Sequence, residues 1–490
     1  MPESDGAGVA GGLREALDRA GYTTAGLSER LGPHAFLHLA AREIAPLVRA
    51  TRGGDHLDVL VRLFVAGVPV GRGAAEAALA PAGVDALAGA GIVGLDGGDM
   101  VGLVGLRPLD GPAPWVVAHD LGRPAGGVRP DHVLGVSPST MALAGATIRR
   151  PIGAALDLGT GGGAQALFAA THADRVVATD LNPRAAALCR LTMALNGAAG
   201  VEVREGDMLA PVAGETFDLV VSNPPFVISP SRRYLFRDAP AALDEVCRDL
   251  VRAVPDHLAP GGHCQFLGSW AHVAGEDWRD RLAGWCAGTG CDALVLQREV
   301  LDPAAHAAGW LRQTDPPDAW QPQYDEWMDH YERHGVEAVA LGLISLRRRP
   351  GGPEGGDGWF RAEEAPQDFA MPCGDHLGAA FELADFVADH PGDRLLGVVL
   401  AVAPDVVLDE RARPGDGGGW APGDRRLRQT AGLCREGEVD EPLAALVAAC
   451  DGTRPLAAVL AEAAPDVPAG VALPVVARLV EQGFLLPSPG

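Results

Sequence analysis

The chain has 490 residues and a formal net charge of −24, and 47% of its residues are hydrophobic. This length exceeds one ordinary hydrophobic core and predicts roughly two to four domains, while the acidic balance argues against a large RNA or DNA footprint. We expect a cytoplasmic protein with no membrane partner, because the sequence has neither a run of about 18 apolar residues nor a basic and then apolar signal segment. The eight cysteines include no Cys-x-x-Cys pair, so we expect reduced core thiols and no metal site.

The first 110 residues predict a small helical domain that ends in a β-hairpin. Helices are predicted at residues 13–31, 35–51 and 57–67. Residues 84–88 then lead to two apolar segments, 92–95 and 100–109, which flank the turn Asp96-Gly97-Gly98-Asp99. This order is winged-helix-like. Because the segment contains no lysine and its arginines are spread out, we favour a role in protein interaction or substrate positioning over DNA binding.

The centre of the chain opens with a strand, a glycine turn and a helix. A short apolar run at residues 155–158 stops at Gly159-Thr160-Gly161-Gly162-Gly163, and good helix formers follow at residues 164–170. Glycines let a backbone approach a ligand closely, and the first N–H groups of a helix favour a polar or anionic group. The next strand, at residues 175–179, ends in Asp180, whose carboxylate can accept both hydroxyls of a ribose. The pattern predicts a nucleoside-bearing cofactor and leaves nicotinamide, flavin and S-adenosylmethionine open.

Two features favour S-adenosylmethionine (SAM). Ala164 occupies the position of the third glycine in the dinucleotide fingerprint. In addition, Asn223-Pro224-Pro225-Phe226 follows a predicted strand at residues 217–221, on the carboxyl edge where open α/β sheets bind ligands. Successive prolines stiffen a loop and remove two N–H donors, so its carbonyls can face a substrate. The Asn223 side-chain oxygen and the Pro224 carbonyl can then accept both hydrogens of a planar –NH2 group, which Phe226 would cover.

The rest of the central segment predicts a doubly wound α/β sheet, because strands and helices alternate as in βαβ units. Further strands are predicted at residues 201–205, 263–267, 293–298 and 336–349. Helices are predicted at residues 241–258 and 278–288. The glycine turn and the Asn-Pro-Pro-Phe motif would then lie at the same edge of one sheet.

These motifs resemble those of class I SAM-dependent methyltransferases of the Asn-Pro-Pro-(Tyr/Phe) group over residues 130–350, somewhat under half of the chain. The group includes HemK-like enzymes, which methylate glutamine side-chain amides in release factors, and enzymes that methylate exocyclic amines of RNA or DNA bases. The resemblance implies a Rossmann-like sheet of seven strands, one of them reversed. It also implies that residues 131–139 close over the SAM site, where we expect His132 to be structural.

By the same resemblance, SAM is the cofactor and the motifs supply its contacts. Asp157 and the glycines of the turn would line its methionine part, Asp180 would hold the ribose, and Asp207 would meet the adenine amino group. The implied cofactor contacts are Asp157, Gly159, Thr160, Gly161, Gly163, Asp180, Leu181, Asp207, Met208 and Asn223. The implied catalytic residues are Asn223, Pro224, Pro225 and Phe226.

Residues 299–335 are too long for a simple connection between two strands. Their aromatic residues are Trp310, Trp320, Tyr324, Trp327 and Tyr331. The segment therefore predicts either a helical cap that packs on the sheet or a substrate lid. A Pro/Gly-rich linker at residues 349–358 then separates it from the remainder of the chain.

We therefore predict three domains: a winged-helix-like domain at residues 1–110, a methyltransferase domain at residues 111–350 and a smaller α+β, winged-helix-like domain at residues 351–490. In the last domain, residues 411–423 predict a loop. Helices are predicted at residues 441–450, 455–463 and 473–482, followed by a strand at residues 484–486.

The predicted activity is methyl transfer from SAM to a planar amide or amine nitrogen, driven mainly by positioning and by carbonyl dipoles. A protein or peptide side-chain amide, of the glutamine type, is the favoured acceptor because the chain is acidic. An exocyclic amine of adenine or guanine in RNA is the alternative. A catalytically silent SAM-binding regulator is a third possibility, which the intact Asn-Pro-Pro-Phe motif disfavours. The oligomeric state stays open.

Overall fold

The computed structural model describes residues 3–32, 43–122, 128–231, 233–238, 242–315, 319–350, 358–414 and 419–488. Parts of the predicted helix at residues 35–51, the predicted linker at residues 349–358 and the predicted loop at residues 411–423 lie outside these ranges. The chain divides into two compact units, one of residues 1–143 and 150–363 and the other of residues 144–149 and 364–490. The three domain limits proposed from the sequence stay a prediction.

The first unit begins with short helices around a hydrophobic core. These helices are α1 (Glu3–Arg19), α2 (Thr24–Leu31), α3 (Ile44–Ala50), α4 (His56–Val61), α5 (Arg72–Leu79) and α6 (Val84–Gly89). Leu13, Leu60 and Phe64 are completely buried in this core. A π-helical turn at Arg62–Ala66 extends α4 and ends at Gly67, whose φ is 64°. The helix predicted at residues 57–67 is therefore confirmed.

Two hairpins follow these helices. Strand β1 (Val93–Asp96) pairs with β2 (Asp99–Gly102), and β3 (Gly105–Asp110) pairs with β4 (Pro114–His119), both in antiparallel fashion. The first hairpin is the one predicted around Asp96-Gly97-Gly98-Asp99. Its two central glycines have φ values of 59° and 97°, a region that two-residue hairpin turns require and that favours glycine.

An eight-stranded sheet forms the centre of the first unit. Its strands are β5 (Ile152–Leu158), β6 (Ala173–Asp180), β7 (Val201–Glu205), β8 (Phe217–Ser222), β9 (Leu258–Val273), β10 (Cys291–Leu301), β11 (Val336–Arg348) and β12 (Phe360–Glu364). Their order is β12-β10-β11-β9-β8-β5-β6-β7. The neighbouring pairs β7–β6, β6–β5, β5–β8 and β8–β9 are parallel. Strand β11 is antiparallel to both of its neighbours, β9 and β10. The predicted doubly wound α/β sheet is confirmed, and among β5–β11 one strand, β11, is reversed.

The strand count differs from the seven that the resemblance implies. Strand β12 adds an eighth strand at the edge beside β10, where the Ala293 N–H donates to the Trp359 carbonyl at 2.8 Å. An edge strand such as β10 presents unpaired backbone groups, and a further segment of chain can satisfy them. The sequence pattern gave no indication of β12, because it lies beyond the predicted linker.

Helices flank the sheet and bury its central strands. They are α8 (Ala164–Ala169), α9 (Pro183–Leu195), α10 (Glu245–Ala253) and α11 (Trp278–Cys286), whereas α7 (Pro138–Ala146) precedes β5 along the chain. In β5, Ala155, Leu156 and Leu158 are at most 1% exposed, as expected of a parallel strand that is covered on both faces. The carboxyl ends of β5, β6 and β8 lie at the same edge of the sheet, because these strands are parallel neighbours.

The insertion at residues 299–335 contains two helices, α12 (Pro303–Thr314) and α13 (Trp320–Arg333). Trp327 and Tyr331 are each 1% exposed, and they pack in one cluster with Val227 and Ile228 of the loop after β8. The Tyr331 hydroxyl donates to the Ile228 carbonyl at 3.0 Å. The helices therefore pack on this loop as a cap does, and a lid function stays a prediction.

The second unit contains helices and two small sheets. Its helices are α14 (Gly374–Asp389), α15 (Glu441–Ala449), α16 (Leu456–Ala463) and α17 (Ala469–Glu481). Its strands are β13 (Val399–Val402), β14 (Val406–Pro414), β15 (Trp420–Gln429), β16 (Glu436–Val439), β17 (Asp451–Pro455) and β18 (Leu485–Pro487). The sheets have the orders β17-β13-β18 and β14-β15-β16. The three predicted helices and the final strand are confirmed.

One prediction for the second unit is wrong. Residues 411–414 and 420–423 belong to the antiparallel pair β14 and β15, where a loop was expected. Ion pairs link the two strands, such as Arg428 with Asp409 at 3.0 Å and Arg425 with Glu410. Most of β14 is exposed, so its sequence lacks the alternating apolar residues by which strands are recognised.

Candidate functional site

A cavity of about 700 Å³ opens at the carboxyl ends of β5, β6 and β8. It brings together most of the residues that the sequence selected. Lining residues from this set are Asp157, Gly159, Thr160, Gly161, Asp180, Leu181, Asp207, Met208, Asn223 and Pro225. Gly163, Pro224 and Phe226 are outside the lining. The predicted nucleoside-binding and –NH2-binding motifs therefore face one space.

The turn after β5 is shaped by its glycines. Gly159 and Gly161 have φ values of 70° and 54°, and no atom lies within 4 Å of the position that a Cβ would take on either residue. Their backbone thus faces open space, into which a ligand can approach closely. Gly162 is tight instead, because a Cβ there would lie 2.5 Å from the Ala118 carbonyl oxygen. Gly163 is the N-cap residue that precedes α8.

Asp157 stabilises this turn from inside. Its Oδ2 accepts hydrogen bonds from the Thr160 hydroxyl at 2.6 Å and from the Ala166 N–H at 2.9 Å. The side chain is 1% exposed, and burial, aided by the nearby charge of Asp180, raises the pKa of the carboxyl to about 7. Asp157 therefore fixes the shape of the turn, and its Oδ2 is already occupied by these two donors.

Asp180 joins the end of β6 to the glycine turn. Its Oδ2 accepts from the Gly161 N–H at 2.9 Å, and its Oδ1 accepts from the Asn182 N–H at 2.8 Å. Each carboxylate oxygen has more than one lone pair, so both can accept a further hydrogen bond from a ligand. Burial raises the pKa of this carboxyl above its ordinary value. Leu181, next along the chain, is 54% exposed and lines the cavity.

The segment after β7 supplies Asp207 and Met208. It is attached to β6, because the Gly206 N–H donates to the Asp180 carbonyl at 3.0 Å. Met208 has a φ of 44°, an uncommon conformation for a residue other than glycine, which is often found at functional sites. The structure thus places Asp207 and Met208 on the same cavity as Asp180.

The Asn-Pro-Pro-Phe motif follows β8 and is held at its N-terminal end by two hydrogen bonds. The Ser222 hydroxyl donates to the Leu158 carbonyl at 2.8 Å, which ties the motif to the end of β5. The Asn223 Nδ2 donates to the Ser139 hydroxyl at 3.4 Å. Since Nδ2 serves as this donor, Oδ1 is the atom of Asn223 that can accept a hydrogen bond. Pro225 lines the cavity with Asn223, whereas Pro224 is buried.

Phe226 lies differently from the expectation that it covers the acceptor group. Its side chain packs against the sheet core and against the cluster of the α12–α13 helices. Its carbonyl accepts a hydrogen bond from the Ser269 hydroxyl. In this position the ring packs beneath the backbone of its own motif, against the two clusters. Direct contact between Phe226 and an acceptor stays a prediction.

Two further segments line the cavity. The first lies within residues 131–139, which the resemblance implies close over the SAM site, whereas no sequence signal indicated the second. The first is residues 132–137, where His132 is 9% exposed and its Nδ1 lies 3.9 Å from Asp120 Oδ2, in keeping with a structural role. The second contains Tyr234, Leu235, Phe236 and Asp238. No motif marks this second segment, because it has no helical or strand periodicity.

The ionisable side chains of the cavity are mostly acidic. The lining acids are Asp157, Asp180, Asp207, Asp238 and Asp249. Among the residues that the structure describes, no arginine lines the cavity, and His132 is its single imidazole. A polyanion such as an RNA backbone needs basic partners, so this lining favours a neutral or cationic ligand segment.

Over the described ranges, the structure holds no group of three or more His, Cys, Asp or Glu side chains arranged to bind a metal ion. Over the same ranges, no helix is both long and apolar enough to cross a membrane. All eight cysteines are free thiols. These findings concern the described residues alone.

Comparison with known families gives three matches. Residues 136–270 match the family model described as the methyltransferase small domain. Residues 19–103 and 379–487 match two families that are each described as a domain of unknown function. The matched methyltransferase segment contains the glycine turn, Asp180 and the Asn-Pro-Pro-Phe motif.

Curated relatives match about a quarter of the chain. The chain is 35% identical over 139 residues to the release factor glutamine methyltransferase of Cereibacter sphaeroides, an alignment that covers 26% of this chain and 50% of the relative. It is 40% identical over 119 residues to the release factor glutamine methyltransferase of Deinococcus radiodurans, with 22% and 42% covered. It is 30% identical over 121 residues to the ribosomal RNA small subunit methyltransferase C of Alcanivorax borkumensis, with 25% and 33% covered.

The chain spans about half the length, or less, of the curated relatives that it matches. The segment that the family model matches, residues 136–270, contains the parallel strands β5 to β8 and much of the cavity lining. From residue 136 to residue 270, the chain carries a methyltransferase small domain.

Proposed function

We propose that this protein transfers a methyl group from SAM to the nitrogen of a planar –NH2 group, most simply the side-chain amide of a protein or peptide. The observation that carries the proposal is the shared cavity, which Asn223 and Pro225 line together with the glycine turn and Asp180. A methyl donor held by the turn and an acceptor held by Asn223 would then meet in one enclosed space.

The lining of the cavity suits SAM in its chemistry. The backbone at Gly159 and Gly161 faces open space, which suits the methionine part, and the Asp180 carboxylate keeps lone pairs for the ribose hydroxyls. Asp207, Met208 and Leu181 line the cavity where an adenine would be held. When bound, SAM supplies an electrophilic methyl group, and the residues of this chain hold both partners in line.

Asn223 would orient the acceptor. Its Oδ1 would accept one hydrogen of the –NH2 group. The resemblance assigns the other hydrogen to the carbonyl of Pro224, a residue outside the cavity lining, so that the nitrogen lone pair points toward the methyl group. As the nitrogen attacks, positive charge grows on it, and two carbonyl dipoles fixed in advance stabilise that charge. No separate strong base is required for this step, because the proton can leave to water after transfer.

The cavity lining supports a protein or peptide acceptor over RNA. Five aspartates and no arginine line it within the described residues, and the whole chain has a net charge of −24. Phosphate groups close to such a lining would be repelled, whereas an amide carries no charge and basic flanking residues would be attracted. Curated relatives include both glutamine and ribosomal RNA methyltransferases, so an RNA base amine is the second candidate.

A labelling experiment tests the proposal. The full chain is incubated with methyl-labelled SAM and a cell lysate, which is then divided and treated with protease or with ribonuclease. We expect label that protease releases and ribonuclease does not, and we expect its loss with Asn223→Ala. Label released by ribonuclease would establish the RNA alternative. Binding of SAM without any transfer would establish a catalytically silent regulator.

A further inference from the structure

The loop that follows the Asn-Pro-Pro-Phe motif closes on itself beside the cavity. We name residues 227–231 and 233–238 the wall loop. Val227 and Asp238 form an isolated parallel bridge, and the Val227 N–H donates to the Arg237 carbonyl at 3.2 Å. Because its two ends are joined, the loop is a compact unit whose shape depends on its internal contacts.

Two apolar side chains of the wall loop reach the cavity. Leu235 and Phe236 line the same space as Asn223, and Leu235 is 47% exposed. The Leu235 N–H donates to the Pro130 carbonyl at 3.0 Å. The Phe236 ring meets the His132 ring edge to face, with centroids 6.0 Å apart. An exposed leucine beside a partly buried aromatic ring at a cavity is a typical ligand-contact surface.

Asp238 holds the wall loop in shape. Its Oδ2 accepts from the Ser231 hydroxyl at 2.8 Å, the Arg233 N–H at 2.9 Å and the Tyr234 N–H at 3.0 Å. Its Oδ1 accepts from Arg237 Nε at 2.6 Å and from the Ser229 hydroxyl at 3.1 Å. Burial alone would raise the pKa of Asp238, but the hydrogen bonds and charge of Arg237 lower it overall. Asp238 is thus a charged anchor of the loop and a poor proton acceptor.

Arg237 connects the wall loop to the helices α12 and α13. It is 2% exposed, and its Nη1 donates to the Thr314 hydroxyl at 2.6 Å. Its guanidinium lies over the Tyr234 ring at 4.7 Å and the Trp327 ring at 5.6 Å. Buried ion pairs add little stability compared with apolar residues of the same volume, whereas this one fixes the position of a cavity wall.

We propose that the wall loop is the acceptor-binding wall of the cavity, in which Leu235 and Phe236 contact the acceptor and Arg237 and Asp238 position them. The inference rests on the proposed function, because it names the place where the acceptor of that reaction binds. A leucine and an aromatic ring suit the apolar stem and flat face of an uncharged carboxamide side chain. Neither side chain has a donor that could form a hydrogen bond with a phosphate group.

The test uses one defined probe, the peptide acetyl-Arg-Ala-Gln-Ala-Arg-amide, whose basic flanks suit the acidic cavity lining. Phe236→Ala and Asp238→Asn should each raise the KM for this peptide by about tenfold or more, with the affinity for S-adenosylhomocysteine changed less than about twofold. The matched control is Asp292→Asn, which breaks another buried ion pair, with Arg347 at 2.6 Å, away from the cavity lining. It should change the thermal stability and leave the KM unaltered.

Hydrogen exchange on the wild-type chain provides a second measurement that needs no variant to fold. With S-adenosylhomocysteine present, the peptide should slow amide exchange in the wall loop and leave β11 unchanged. Slower exchange in the wall loop without methyl transfer would reject the proposed function and retain the wall loop as the place where the peptide binds. Methyl transfer without slower exchange would overturn the assignment of the wall loop as the acceptor-binding wall and retain the proposed function. An unchanged KM in folded Phe236→Ala would have the same meaning. The absence of both transfer and slowing would overturn both.

Discussion

Asp180 and Gly161 are joined by a hydrogen bond of 2.9 Å from the glycine N–H to the carboxylate Oδ2. Asp180 ends β6 and Gly161 lies in the turn after β5, so this bond connects two parts of the cavity that different strands supply. The carboxylate thereby shapes the turn as well as offering lone pairs to a ligand. A change at Asp180 should consequently affect both the ligand contact and the turn.

Asp180→Ala should weaken SAM binding by about a hundredfold, because hydrogen bonds from a ribose to a charged acceptor contribute about 1.5–3 kcal/mol each. Titration calorimetry measures this directly. The matched control is Asp218→Ala, since Asp218 also accepts a backbone N–H, from Ala154 at 2.9 Å, but lies at the beginning of β8 and away from the cavity. Equal losses of affinity in both variants would show that Asp180 has no specific part in binding.

Stability should depend on pH through Asp157. The carboxyl has a folded-state pKa of about 7, raised from 3.8 by burial and by the charge of Asp180. A raised pKa means that the folded state binds the proton more tightly, so this contribution is fully present below about pH 4 and is lost as pH rises through about 7. The wild type should therefore lose stability relative to Asp157→Asn by about 1.4 kcal/mol per pH unit across this window.

Denaturant unfolding of both proteins at several pH values measures this difference. The asparagine oxygen can still accept from the Thr160 hydroxyl and the Ala166 N–H, so the comparison isolates the charge. A difference in unfolding free energy that stays constant from pH 4 to pH 7 would contradict the assigned pKa. Above about pH 8 the difference should reach a plateau, because the carboxyl is then ionised in both states.

Gly162→Ala should distort the glycine turn. The new methyl group would lie 2.5 Å from the Ala118 carbonyl oxygen and 3.0 Å from Val117 Cγ1, so the turn or β4 must shift, at a cost of about 1–3 kcal/mol. We expect a lower melting temperature together with weaker SAM binding. Gly200→Ala is the matched control, because no atom lies within 4 Å of its Cβ position. A melting curve for Gly162→Ala that matches this control would exclude the steric account.

The core of the site could be predicted because its signals are local. Gly159 and Asn223 each follow directly after a buried strand and Asp180 ends one, and parallel strands bring their carboxyl ends to one edge. The alternation of strands and helices likewise predicted the doubly wound sheet. The reversal of β11 came from the family resemblance, since hydrophobic periodicity does not report strand direction.

The rest depends on contacts between distant residues, which periodicity does not report. Leu235 and Phe236 reach the cavity because Arg237 is bound by Thr314, 77 residues further along the chain. The position of Phe226 is likewise set by the helices of the insertion. The strands β14 and β15 were missed because they lack the alternating apolar residues by which a strand is recognised. Charged residues that pair across the two strands, such as Arg428 with Asp409, stand there instead.

The central claim is that Asn223 holds the acceptor nitrogen for methylation. Its most direct test is the single-turnover rate of methyl transfer from labelled SAM to protein acceptors in a lysate, compared between the wild type, Asn223→Ala and Asn223→Asp, with SAM affinity measured alongside. We expect the alanine variant to bind SAM normally and to transfer at least about a hundredfold more slowly, as when one fixed dipole is removed from an oxyanion hole. The aspartate variant, which keeps the acceptor oxygen, should retain some activity. Wild-type transfer rates in both variants would contradict the account, because the motif would then be only a rigid turn.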